Sequence, residues 1–124
     1  MHGHVHWNEL NTHDSEKARA FYGNTLGWEF EGLPMEDGST YWIIMMNGAR
    51  VGGIFEMVHP AFADIPEHWF THFEVDDIHA RIKAVTDNGG MITRAPFEIP
   101  GTGTLAVLQS ASGSYCAFIE PVRG

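Results

Sequence analysis

The chain has 124 residues, 44% of them hydrophobic and 12% aromatic, which is enough to pack one domain and excludes a disordered tail or linker. Its 16 acidic residues against 7 basic ones give a formal net charge of −9. That balance lacks the basic face needed to neutralise nucleic-acid phosphates or to sit on an anionic membrane. There is no apolar run long enough to span a bilayer and no secretory leader, so a cytoplasmic protein is expected. The single cysteine, Cys116, lies in an apolar run and reads as a buried, inert thiol.

In chain order, a first strand is predicted over about residues 4–10. Asp14 then caps a helix by accepting a hydrogen bond from a free N–H of the first turn. Ala18, Phe21, Tyr22 and Leu26 form its expected apolar stripe, and Gly27 ends it through the left-handed region. Strands follow over residues 28–33, 40–46 and 51–57, with Asp37-Gly38 and Asn47-Gly48 as hairpin turns. Residues 59–66, with Pro60 and Pro66, read as a linker between a first module (1–58) and a second (67–124). The second module has a strand over 69–75 and a helix capped by Asp77, with Ile78, Ile82 and Val85 as its stripe. Gly89-Gly90 ends that helix, and strands over 91–95, 104–109 and 115–120 complete the module.

A shift of 63 residues superimposes landmarks of the two modules. Asp14 falls on Asp77, Gly27 on Gly90, Trp7 on Phe70 and Glu9 on His72. Each module is therefore strand, helix and three strands, too small to bury both faces of its sheet alone. The expected fold class is α+β, two tandem βαβββ modules forming a curved open sheet around a central cavity.

The run Asp14…Ala18-Arg19-Ala20-Phe21-Tyr22…Leu26-Gly27-Trp28, with Val75-Asp76-Asp77-Ile78 and Gly89-Gly90, resembles the vicinal oxygen chelate superfamily of glyoxalases, bleomycin-resistance proteins and extradiol dioxygenases. The resemblance covers essentially the whole chain. It implies a paired βαβββ architecture. In the metal enzymes of the family it implies one divalent ion held by His, Glu or Gln from the first and last strands of each module. Such an ion would bind two adjacent substrate oxygens and stabilise an anionic intermediate.

Counted from the helix landmarks, those ligand positions fall on Trp7, Phe70 and about Ala117, none of which binds a metal. Only Glu56 remains at a matching position, and one carboxylate does not hold a divalent ion. The usual metal site is therefore expected to be absent, with no cofactor, and Trp7 and Phe70 suggest a site lined for an apolar or planar ligand. Strand side chains two apart share a face. Glu9 and then Asn11 should accompany Trp7, and His72 and then Glu74 should accompany Phe70. Glu9, His72 and Glu56 are accordingly the candidate catalytic residues for acid–base chemistry. The same three are the alternative ligand set for one divalent metal, with polar lining of the cavity as the bland reading. A two-residue slip of register would put Glu9 and His72 at the ligand positions themselves. Trp7, Phe70, Glu74, Gln109 and Ala117 are the candidate ligand contacts, with Gln109 as apt to face outward.

Of Tyr41 and Trp42, one should face the cavity and the other the helix layer. His2, His4 and His6 read as frayed or solvent-exposed, and His13, His59, His68 and His79 as surface histidines. The tract Pro100–Thr104 lacks the lysine and helix of a phosphate loop and reads as a hairpin loop at the cavity mouth. Three functions compete: a metal-free protein that binds a small organic molecule and either sequesters it or acts on it by acid–base chemistry; a metal-dependent lyase or dioxygenase with a displaced ligand set; and a non-catalytic sequestering or sensor module. A small-molecule partner is expected in each, with a homodimer as the open oligomeric state.

Overall fold

The computed structural model describes residues 1–122. Its elements run β1 (Val5–Thr12), α1 (Ser15–Leu26), β2 (Glu29–Pro34), β3 (Thr40–Met46) and β4 (Ala49–Glu56). A 3-10 turn (Pro60–Phe62) leads to β5 (His68–Glu74), α2 (Ile78–Asp87), β6 (Met91–Ile99), β7 (Gly103–Gln109) and β8 (Tyr115–Pro121). This is the expected α+β chain of two βαβββ modules.

The chain divides into two compact units, Trp7–Trp69 and Met1–His6 with Phe70–Gly124. The division departs from the linker expected at 59–66, and hydrogen bonds explain it. The amide of Gly3 donates to the Glu74 carbonyl, and that of Glu74 to the His4 carbonyl. The first residues, expected to fray, are thereby tied to β5. Glu67, His68 and Trp69 bond instead to Thr12, Asn11 and Tyr22, which places them with the first module.

In the Trp7–Trp69 unit the strand order is β2-β3-β4-β1, with β4 and β1 parallel and the other pairs antiparallel. The α1 helix packs on one face around Leu10, Ala18, Ile44 and Ile54, edged by Tyr22, Trp28, Phe30 and Trp42. Asp14 caps it, accepting from the Lys17 amide at 3.0 Å, and Gly27 closes it at φ 76°. The expected stripe is only half right. Ser15, Ala18 and Tyr22 face the sheet, but Phe21 lies one position round from Tyr22 and Leu26 sits on the last turn, so both stay exposed.

In the other unit the order is β5-β8-β7-β6, with β5 and β8 parallel. Val75, Ile78 and Ala106 pack under α2 with Ile82 and Phe118. Leu105, Ala117 and Ile119 form a second apolar layer with Phe70, Phe97 and Ile99. Strand β6 runs four residues beyond the predicted end at residue 95, through Pro96. It tolerates the proline because β6 closes the order of its unit and its register with β7 shifts between Arg94 and Phe97.

Candidate active site

The two faces of the Trp7–Trp69 sheet differ in chemistry. Leu10 pairs with Ile54 and Thr12 with Glu56 on the α1 side. By alternation Trp7, Glu9 and Asn11 share the opposite face, where Glu9 pairs with Gly53 and Asn11 with Phe55. The β3 pattern resolves the ambiguity at residues 41 and 42: Trp42 packs in the α1 layer, and Tyr41 lies on the Glu9 face.

Glu9, Tyr41 and Trp7 form a relay. The Trp7 indole N–H donates to the Tyr41 hydroxyl at 3.0 Å, and that hydroxyl donates to Glu9 Oε2 at 2.9 Å. Gly53 makes the relay sterically possible, because a Cβ at that position would overlap the Tyr41 hydroxyl. Burial pushes the Glu9 carboxyl above its ordinary range, against the smaller opposing effects of the Tyr41 hydrogen bond and the nearby His68. Burial, together with the adjacent Glu9 charge, also pushes the Tyr41 phenol up. Tyr41 therefore stays a protonated donor while Glu9 becomes a better proton acceptor, the division of labour an acid–base site needs.

Beside this relay, His68 Nδ1 lies 2.8 Å from the Pro66 carbonyl and His68 Nε2 lies 3.1 Å from Asn11 Nδ2. A carbonyl only accepts, so Nδ1 carries the proton, and in the neutral ring Nε2 accepts from the Asn11 amide. That orientation leaves Asn11 Oδ1 buried and without a partner among the described residues. His68, expected on the surface, is instead a half-buried residue at the start of β5.

The other unit holds a separate group. The His72 ring stands 5.6 Å from that of Phe70, edge to face. Burial, and secondarily the neighbouring His6, push His72 down to about 4. His72 is thus neutral at physiological pH. Glu74 takes hydrogen bonds from the Met1 amine and, at 3.2 Å, from His6 Nδ1. The terminal amine above all holds its carboxyl below the usual range.

The predicted site residues therefore sort unevenly. Glu9 and Trp7 come together through Tyr41, and His72 comes together with Phe70. Glu56 does not join Glu9: it sits on the α1 side, where Oε1 accepts from the Ser15 amide at 2.7 Å. Its counterpart Glu120 does the same for the Ile78 amide at 2.9 Å. Both carboxylates satisfy a free N–H in a helix first turn, which a count of ligand positions does not reveal. Ala117 is fully buried in the apolar layer and offers a ligand no surface. The Gln109 amide donates to the Gly113 carbonyl at 3.1 Å within its own hairpin, so it is spent on the turn. Tyr41, Gly53, Asn11 and His68 complete the site; the signal for Gly53 was a glycine pair in the middle of a strand.

A divalent ion does not suit this donor set. The side chains reached by the count from the helix landmarks, Trp7, Phe70 and Ala117, offer no metal-binding atom, and Glu56 bonds to the Ser15 amide of α1. Among the described residues no three His, Cys, Asp or Glu side chains form a group that could hold a metal ion.

Comparison with known proteins agrees with this architecture. The sequence model of the Glyoxalase/Bleomycin resistance protein/Dioxygenase superfamily matches residues 3–117. The putative glyoxylase CFP32 of Mycobacterium tuberculosis (strain CDC 1551 / Oshkosh) is 32% identical over 119 residues, covering 96% of this chain and 44% of that protein. This chain thus spans less than half the length of that relative. A glyoxylase-like domain-containing protein of Didymella fabae is 34% identical over 93 residues, covering 73% of this chain and 71% of the other. Among solved structures, hypothetical protein BH1468 from Bacillus halodurans C-125 superimposes with a TM-score of 0.74 at 17% identity, covering 98% and 96% of the two chains. Methylmalonyl-CoA epimerase from Mycobacterium tuberculosis does so with a TM-score of 0.66 at 13% identity, covering 98% and 89%. The chain belongs to the Glyoxalase/Bleomycin resistance protein/Dioxygenase superfamily.

Proposed function

We propose that this chain binds a small organic carbonyl compound and moves a proton on it by metal-free acid–base chemistry centred on Glu9. The observation that carries the reading is the hydrogen bond from the Tyr41 hydroxyl to a Glu9 carboxyl whose pKa burial has raised. Glu9 removes a proton from the carbon next to the carbonyl. The C–H bond breaks, an O–H bond forms on Glu9, and the electron pair moves to the carbonyl oxygen as an enolate. A protonated Glu9 is a weaker acceptor, which frees the Tyr41 O–H to turn toward the enolate oxygen. Relatives named glyoxylase and neighbours named epimerase are in keeping with chemistry on small carbonyl compounds.

The test is deuterium incorporation at the CH2 of 2-hydroxyacetophenone in D2O, followed by proton NMR. Loss of that signal should be faster with the native chain than with Glu9→Gln, and a rate equal in the two proteins would overturn the reading. If 2-hydroxyacetophenone binds but exchanges no faster than without protein, the chain sequesters its ligand instead.

A further inference from the structure

We infer that Asn11 is a specificity-determining residue of this site, and that it selects ligands which donate a hydrogen bond, a hydroxy or amino carbonyl compound, against ligands carrying a carboxylate there. The inference rests on the proposed Glu9 site and names its ligand class.

In the resting site the Trp7 N–H is taken by Tyr41, and the Tyr41 O–H by Glu9. The His68 Nδ1–H is taken by the Pro66 carbonyl, and one N–H of the Asn11 amide faces His68 Nε2. Each of these donors is engaged by a neighbour in the same unit. One of the two Asn11 N–H groups is thereby held, and the atom left buried and unmet is the amide oxygen. An ionised Glu9 only accepts, and Asn11 Oδ1 is an acceptor with no partner among the described residues. Turning the amide over would not satisfy Oδ1, because Oδ1 would then face the lone pair of His68 Nε2. His68 thus positions the amide, and Pro66 fixes the tautomer of His68.

Glu9 and Asn11 lie two residues apart on one strand, so both point from the same face. Phe55 is the register partner of Asn11 on that face, and Ile43 is that of Gly53. A ligand with an apolar body, a C–H next to its carbonyl for Glu9 and an O–H or N–H for Asn11 satisfies the set. An anion placed at Asn11 would set oxygen against oxygen beside the Glu9 carboxylate, in a chain of net charge −9. Leaving a buried acceptor unpaired is what makes such a site discriminate.

The test compares two probes of nearly equal shape, 2-hydroxyacetophenone and phenylglyoxylate, which differ in carrying a hydroxymethyl or a carboxylate on the ketone. Binding is read from the shift of the Trp7 indole N–H resonance on titration, in the native chain, Asn11→Ala and Asn11→Asp. The hydroxy ketone should bind the native chain at least tenfold more tightly than the keto acid. Asn11→Ala should lose about tenfold for the hydroxy ketone alone, the effect of one hydrogen bond. Asn11→Asp, which sets an oxygen against the lone pair of His68 Nε2 and a second charge beside Glu9, should bind the keto acid more weakly still. Phenylglyoxylate binding as tightly as the hydroxy ketone would overturn the ligand class while leaving a small-molecule site at Glu9. An equal loss for both probes in Asn11→Ala would likewise reduce Asn11 to a structural role. If neither probe moves the Trp7 resonance, the ligand class and the proposed function fall together.

Discussion

The hydroxyl of Tyr41 occupies the space that a side chain at Gly53 would fill. Gly53 sits on β4 opposite Glu9 of β1, so the missing Cβ lets the phenol lie across the sheet and reach the carboxylate. Gly53→Ala must push Tyr41 aside. Its deuterium-exchange rate should therefore fall to that of Tyr41→Phe, and combining the two changes should cost no more than either alone. Tyr41→Phe should destabilise the fold by about 1 kcal/mol, since it leaves Glu9 without its donor. An exchange rate in Gly53→Ala equal to that of the native chain would show that Tyr41 is not required.

The raised Glu9 carboxyl has a stability signature of its own. The folded state holds this proton more tightly than the unfolded chain does, so the stabilisation is full below the ordinary carboxyl value of 4.5. It is lost as pH rises through the raised folded value. Glu9→Gln removes a charge that is costly to bury. Denaturant midpoints should show the variant matching or exceeding the native chain at pH 8, with the advantage gone near pH 4. A variant less stable than the native chain at pH 8 would contradict the burial of this charge.

Several of these relationships were legible in the sequence and others were not. The caps at Asp14 and Asp77 and the left-handed close at Gly27 are local, so residue type alone located both helices. The pairing of Trp7 with Glu9 on one face followed from strand alternation. What alternation could not fix was the start of each count, and the choice between Tyr41 and Trp42 depended on which face α1 covered. Glu56 was misplaced for the same reason: a count from landmarks gives a position along β4 but not its partner, and the Ser15 amide claimed it. His68 looked like a turn residue because two prolines flank the approach to it, whereas its ring is held by Pro66 and Asn11.

His72 makes the opposite pH prediction. Its folded value of about 4 lies below the ordinary 6.5, so between those limits the unfolded chain binds the proton that the folded chain refuses. The resulting contribution is fully present above pH 6.5 and is lost as pH falls toward 4. Because the ring is part-buried, the size should be no more than ~3 kcal/mol. His72→Gln should flatten the fall of the unfolding midpoint between pH 6.5 and 4 without altering the midpoint's slope above pH 7. An unchanged fall in the variant would assign that acid sensitivity to other groups.

Glu56 and Glu9 are two glutamates on neighbouring strands with opposite duties, and substitution separates them. Glu56 accepts from the Ser15 amide on the α1 side, so Glu56→Ala leaves an N–H of the first turn unmet. It should cost about 1–2 kcal/mol of stability, the scale of losing a helix cap. Deuterium exchange per folded molecule should hold within about twofold of the native rate, since neither Tyr41 nor Glu9 touches that bond. Glu9→Gln should behave in reverse, keeping the fold and losing exchange. Thermal unfolding and exchange measured on both variants form the check. A Glu56→Ala protein that folds normally but exchanges at the Glu9→Gln rate would return Glu56 to the site and remove the division between the two faces of the sheet.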